Sequence, residues 1–222
     1  MQIIEPIIEV EKVDGIQIMK NIERACRTCY RSEGKITEDS YKALLKNCIT
    51  RGHESVLEHE KVTVRMTCDI GVYKDLTRHR IASFSIESTR YCNYGKDKFN
   101  GEIKFVKPCN IEEDTDTYKL WKNACECIEK MYIEMSNSGA TPDQMRMILP
   151  HSTAALVTMT ADIREWKHIL SLRTTKHAHP AVEQVMLQLL QHFRQNMPEI
   201  FENIEYDRDF NPEKYAKLSE MA

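Results

Sequence analysis

Residues 60–68 read EKVTVRMTC, placing Val62, Val64, Met66 and Cys68 on one parity and Thr63, Arg65 and Thr67 on the other. A two-residue period puts alternate side chains on opposite faces, so the segment predicts a strand with one buried and one wetter face. Such a strand cannot stand alone. IIEPIIEVEKV near the start, GEIKFV at 101–106 and AALVTMT at 154–160 are the candidates to pair with it. Elsewhere the spacing is helical. Helices are expected from Ile16 to Tyr30, over Glu38–Arg51 with Thr37 as N-cap and Gly52 as stop, and over Asp116–Asn137. Others are expected from Thr141-Pro142-Asp143 to Pro150, over Asp162–Arg173, and over Ala181–Phe193. The expected fold is α+β, one antiparallel-rich sheet flanked by helices with a helix-rich C-terminal half. A single domain over 1–222 is expected, since no repeat, linker or low-complexity tract divides the chain.

At 41% hydrophobic and 29% charged, the composition suits a soluble globular protein, and no apolar run approaches the ~18 residues of a membrane span. MQIIEPIIEV carries acids where a signal peptide carries basic residues, so no export signal is expected. The eight cysteines fall in helical or core-like positions, as reduced thiols in the cytoplasm would. A formal charge of −3 argues against a general nucleic-acid surface, so any anion site must be local.

The local candidate is TRHRIASFSIESTRYC, residues 77–92, with Arg78, His79, Arg80 and Arg90 among hydroxyl groups and Glu87 its only acid. Read as extended, the segment puts Arg78 and Arg80 on one side and His79 on the other. Ile81, Phe84, Ile86 and Tyr91 between them predict partial burial, and partly buried arginines need anions. The seven glycines form neither G-x-G-x-x-G nor a P-loop, so arginine forks would have to hold any phosphate. A second basic set follows: Arg146, then DIREWKHILSLRTTKHAHP with Arg164, His168 and Arg173 near one helix side. Cys26-Arg-Thr-Cys29 has no partner pair at zinc spacing and reads as structural thiols. In HESVLEH the histidines His53 and His59 are six apart, not four, so no metal site is expected, while His53 and Ser55 can contact an anion or a ring.

With these residues in hand, the chain resembles the flavin-dependent thymidylate synthases. RHR, seven residues, then Ser88 and Arg90-Tyr91 matches that family's signature, and GHESVLEH, RMILP, DIREWKHILSLR and KHAHP follow in the matching order. The resemblance implies reductive methylation of dUMP to dTMP, with FAD as cofactor and 5,10-methylenetetrahydrofolate and NADPH as co-substrates. It implies FAD contacts from Ser55, Arg78, His79, Arg80, Asp162, Ile163, Arg164 and His168, with His53 bordering the flavin and folate pocket. It implies dUMP contacts from Asp75, Arg78, Glu87, Ser88, Thr89, Arg90, Arg146 and Arg173. Arg173 would be catalytic, stabilising charge on the uracil ring. A homotetramer with shared active sites is implied as well. Asp162, Ser85, Ile86 and His179-Pro180 depart from the commoner family pattern. A nucleotide- or RNA-binding module built on the same arginines is the alternative, and a Cys/His zinc protein a third; an absorption spectrum separates the three.

Overall fold

The computed structural model describes residues 1–96 and 99–221. The alternation of residues 60–68 holds: strand β3, Lys61–Asp69 in the order set out below, buries Val62, Val64, Met66 and Cys68 completely. In chain order the strands are β1 (Gln2–Ile4), β2 (Ile7–Val10), β3, β4 (Ala82–Ile86), β5 (Lys104–Val106), β6 (Ala154–Asp162) and β7 (Lys217–Glu220). The helices are α1 (Gly15–Thr28), α2 (Ser40–Thr50), α3 (Ile70–Leu76), α4 (Asp116–Asn137), α5 (Pro142–Met145), α6 (Ile163–Arg173), α7 (Pro180–Asn196) and α8 (Pro198–Phe201). Short 3₁₀ segments at Glu54–His59 and Arg146–Ile148 matter for the site.

The main sheet has the order β4-β6-β3-β2-β7, antiparallel at every pairing except β2 with β7. Its centre is the β3–β6 pair, in register from Lys61↔Asp162 to Asp69↔Ala154. On the polar face Thr63 and Thr160 share a hydroxyl hydrogen bond of 2.9 Å, and Arg65 grips Glu9 with two donors at 2.6 and 2.8 Å. On the other face Trp166, Phe193 and Phe201 fill the core, and the Trp166 indole donates to the Val62 carbonyl at 2.9 Å. That bond satisfies the one polar atom a buried tryptophan brings with it. A second apolar cluster, around Tyr94, Phe105, Tyr132 and Met145, sits under α4 and the two-stranded sheet β1-β5.

The α+β expectation and most elements stand, with corrections at the edges. Pro6 lies between β1 and β2, and the two strands join different sheets. GEIKFV contributes only its last three residues as strand. Thr37 is not a cap: α2 begins at Ser40, whose hydroxyl instead accepts the Thr37 N–H at 2.9 Å. Gly52 does stop that helix, at a φ of +71° that costs glycine nothing. The segment after Thr141 is one capped turn followed by a 3₁₀ turn. In residues 77–92 only Ala82–Ile86 is strand, and residues 78–80 lie in the turn that leads into it. Ile81 and Tyr91 are 69% and 77% exposed, against the expectation of partial burial. Neither α3 nor β7 was expected.

Gly15 opens α1 where the end of α7 passes over it, and a Cβ there would stand 2.3 Å from the Asn196 carbonyl oxygen. Backbone cannot give way as a flexible side chain can. Gly15→Ala should therefore lower the unfolding free energy by about 1–3 kcal/mol despite alanine's better helix propensity. Gly34→Ala, with nothing within 4 Å, should change it by less than about 0.5 kcal/mol. Urea melts of both variants check the pair.

Candidate functional site

Two aspartates end the central strands and begin helices. Asp69 accepts the Val72 N–H at 2.8 Å to cap α3, and Asp162 accepts the Glu165 N–H at 2.8 Å to cap α6. A cap needs an acceptor, which aspartate and asparagine both supply, so Asp162 is an equivalent exchange at this position. His179-Pro180 is likewise a helix start: the His179 ring accepts the Ala181 N–H at 3.3 Å and proline takes the first turn of α7.

The last residue of α6 meets the last turn of α3. Arg173 Nε donates to His79 Nε2 at 3.0 Å, and Arg173 Nη2 donates to the Asp75 carbonyl at 3.1 Å. Asp75 thus serves through its backbone. A cation there also complements the C-terminal dipoles of both helices. His79 is buried, its Nδ1 lies 3.4 Å from Glu165 Oε1, and its ring meets the His168 ring edge-on at 5.9 Å. Burial, then the charge of Arg173, then His168 push the His79 pKa down to about 4. The imidazole is neutral at pH 7. On either side of it Arg78 and Arg80 point to solvent, and among the described residues neither has a carboxylate within ion-pair reach.

Asp162, Arg164 and His168 line an open cavity of about 740 Å³ with Ile81 on its wall. Five carboxylates also line it, Glu54, Glu58, Asp162, Glu165 and Glu205, against the permanent cations Arg164 and Lys167. Both cations are already paired, Arg164 with Glu58 and Lys167 with Glu54. His53 and Ser55 are exposed at the rim formed by the 3₁₀ turn after α2. Ile163 is not at the cavity: its side chain is fully buried and its N–H is spent on the Glu60 carbonyl at 2.9 Å.

The remaining candidates gather at the other end of β4. Ser88 and Thr89 are half-buried, and the Ser88 hydroxyl accepts the Arg90 N–H at 3.3 Å. Arg90 sits 3.5 Å from Asp143, and Arg146 is exposed in the 3₁₀ turn that follows α5. Glu87 turns inward, taking the Tyr94 hydroxyl at 2.8 Å and the Leu156 N–H at 3.1 Å, so both of its oxygens hold the loop to β6. The arginines therefore form two groups, separated by a five-residue strand of about 14 Å at ~3.4 Å per residue. Sequence reasoning named Asp162 but missed Glu165 and the other cavity acids. Glu165 stands three residues before His168 on one helix, and that spacing was its one available signal.

Among the described residues no group of three or more His, Cys, Asp or Glu could hold a metal ion, and no helix is long and apolar enough to cross a membrane.

The profile of a family described as thymidylate synthase complementing protein matches residues 15–199. A flavin-dependent thymidylate synthase of Pyrococcus abyssi is 35% identical over 158 residues, 71% of this chain and 64% of that protein. The chain thus spans just under two thirds of that relative. A flavin-dependent thymidylate synthase of Corynebacterium glutamicum is 26% identical, covering 95% of this chain and 86% of its own length. In fold, the chain is similar to a UMP/dUMP methylase from Streptomyces cacaoi bound with 5-Br dUMP, at a TM-score of 0.74 and 23% identity over 91% and 96% of the two chains. It is similar also to thymidylate synthase X from Helicobacter pylori with FAD and dUMP, at a TM-score of 0.70 and 19% identity over 90% and 98%.

The buried imidazole makes a pH prediction. Its folded pKa of about 4 lies below its ordinary 6.5, so the unfolded chain binds more protons between those values. Its stabilising contribution is therefore complete above pH 6.5 and lost as pH falls toward 4, a difference of roughly 3 kcal/mol. The wild type should lose more unfolding free energy than His79→Asn between pH 7.5 and 4.5 in urea melts.

Proposed function

The chain belongs to the family of thymidylate synthase complementing proteins, and on that premise we propose that it is a flavin-dependent thymidylate synthase. It converts dUMP to dTMP with 5,10-methylenetetrahydrofolate as carbon donor and NADPH as reductant, through bound FAD, in the cytoplasm. The observation that carries this reading is the junction of α3 and α6. A guanidinium is held there by neutral partners beside two exposed arginines that have no ion-pair partner among the described residues, which is a receptor for anionic ligands and for charge that develops on one of them.

The residues present fit a flavin nucleotide. Ile81 offers an apolar wall beside the His168 imidazole, which suits a planar ring, while Arg78 and Arg80 supply the free forks a diphosphate requires. FAD, when bound, supplies the hydride-carrying chemistry. The protein's own part is position and charge. Arg173 keeps a free edge of its guanidinium for the uracil carbonyl, where it stabilises negative charge as the ring is activated. Ser88, Thr89, Arg90 and Arg146 would hold the nucleotide's phosphate and sugar. Asp162, Arg164, Ser55 and His53 would border the cofactor, with the Arg164–Glu58 pair opening to admit it. Two of the buried thiols are poor nucleophile candidates: burial pushes Cys109 up to about 11 and raises Cys68 further. A polynucleotide partner fits less well, because the arginines flank an acidic cavity rather than forming a basic stripe.

A homotetramer with shared active sites is part of this reading, and features of the single chain support assembly. Among the described residues one chain leaves its two arginine groups apart, leaves β4 unpaired along one edge, and exposes Ile81, Tyr91 and Leu172 around them. Exposed apolar groups next to unpaired strand edges mark surfaces that another chain covers.

In solution the protein should bind FAD saturably and run larger than a ~26 kDa monomer by light scattering; a well-folded sample without saturable FAD binding would refute the assignment. Arg173→Ala should lower turnover of dUMP by roughly a hundredfold or more with FAD content nearly unchanged. Arg173→Lys should rescue poorly, since it keeps the charge without the planar fork. Arg78→Ala should instead raise KM for dUMP or weaken FAD. NADPH oxidation coupled to dTMP formation measures these, and wild-type turnover by saturated Arg173→Ala would remove Arg173 from the chemistry.

A further inference from the structure

We infer that Glu165 is a positioning residue: it holds His79 as the tautomer protonated on Nδ1, so that Nε2 pins one edge of the Arg173 guanidinium and the other edge is left for a ligand. The inference rests on the thymidylate synthase reading for its consequence in turnover, and on geometry alone for the clamp.

Guanidinium has five donors and no acceptor, and it stays charged. The Nε–H of Arg173 meets His79 Nε2 at 3.0 Å, so that nitrogen carries a lone pair. A neutral imidazole then has its single proton on Nδ1, which lies 3.4 Å from Glu165 Oε1. Both residues are more than nine-tenths buried, His79 at 7% and Glu165 at 8% exposure. Water is therefore a poor substitute for the carboxylate. Glu165 is fixed in turn by its place in the first turn of α6, where its own N–H is bound by the Asp162 cap. Among the described residues the charged or titratable groups at the ring are Arg173, which donates to Nε2, Glu165, with a carboxylate oxygen 3.4 Å from Nδ1, His168, edge-on from the same helix, and Asp75 from α3.

The consequence is directional. Nε and one Nη2 hydrogen of Arg173 are spent on His79 and the Asp75 carbonyl. Three hydrogens remain, two on Nη1 and one on Nη2, and one from each nitrogen lie parallel, matching a pair of acceptors in the plane of a pyrimidine edge. Remove the acceptor at Nδ1, and the ring is free to carry its proton on Nε2, where it confronts the Arg173 N–H donor to donor. The clamp then opens and the free edge loses its aim.

The test uses Glu165→Leu, which removes the acceptor, and Glu165→Gln, whose amide oxygen can replace it. Protein labelled with ¹⁵N-histidine is examined by long-range ¹H–¹⁵N correlation at pH 7, with His79→Asn identifying the resonance. The wild type and Glu165→Gln should show His79 protonated on Nδ1, and Glu165→Leu should show an Nε2–H population. Turnover of dUMP should fall roughly tenfold in Glu165→Leu, the scale of losing one hydrogen bond, with FAD content within about twofold of wild type. Glu165→Gln should stay within about threefold. Thermal stability should fall in Glu165→Leu, because the buried Nδ1–H is left without its acceptor, so the ring tautomer is the readout that a purely structural role would leave unmoved. Nε2 protonated in the wild type, or an unshifted tautomer with wild-type turnover in Glu165→Leu, overturns the inference. Absent turnover in the wild type would refute the thymidylate synthase reading, while the tautomer measurement still decides the clamp.

Discussion

Everything in this molecule hangs from the nine-residue antiparallel pairing of β3 with β6. The two strands fill each other's hydrogen bonds along their whole length, and their common inner face is the floor of the core. Each strand then ends in an aspartate that caps the helix following it, so strand end and helix start are set by a single side chain. Because the strands are antiparallel, α3 leaves from one end of the pair and α6 from the other. Their C-terminal ends meet, and the Arg173 bonds to His79 and Asp75 join them there. The position of the candidate site is thus a consequence of strand register. A slip of one residue would turn the buried valines outward and move both caps.

The parts of this plan written in short-range pattern were legible. Alternation gave β3, helical spacing gave α1, α4, α6 and α7, and an isolated glycine gave the end of α2. The parts that depend on distant partners were not. The α3 helix is seven residues long, too short for periodicity to register, and it exists because Asp69 caps it and Val72 and Leu76 reach the core. Strand β7, KLSE, shows no strand pattern of its own; it is held by pairing in parallel with β2, more than two hundred residues upstream. Pairing energy of that kind belongs to the fold and leaves no local trace.

The site was legible in residue type and partly illegible in role. The two basic groups were visible as clusters, and the opposite facing of His79 to Arg78 and Arg80 was read correctly, although a turn rather than a strand produces it. Roles that depend on who stands opposite were not visible. Glu87 looked like the acid of a basic island, yet Tyr94 and the Leu156 N–H take its oxygens. Ile163 lies inside a basic segment but turns into the core, as the first residue of a helix lying on a sheet must on one of its faces. Ile81 and Tyr91 were apolar enough to suggest burial, and apolar character alone cannot say whether the same chain or another provides the cover.

The choice of partners for the arginines completes the physical account. Arg27, Arg65 and Arg164 are each joined to a glutamate, and each such pair has its charge largely cancelled by its neighbour. Arg173 is held just as firmly in space, but by an imidazole and a backbone carbonyl, neither of which carries a negative charge. Its full positive charge is therefore still directed outward, in a partly buried place where the field is weakened less than in water. This arrangement works only while the imidazole is neutral, because a protonated ring has no lone pair to give and would repel the guanidinium. Burial ensures neutrality, since it is the largest of the effects that lower the His79 pKa. Burial also demands that the remaining ring proton find an acceptor, and within this fold Glu165 is the group placed to receive it. The carboxylate, the imidazole and the guanidinium form one sequence of requirements, each created by the one before, and its outcome is a fixed cation facing an anionic ligand.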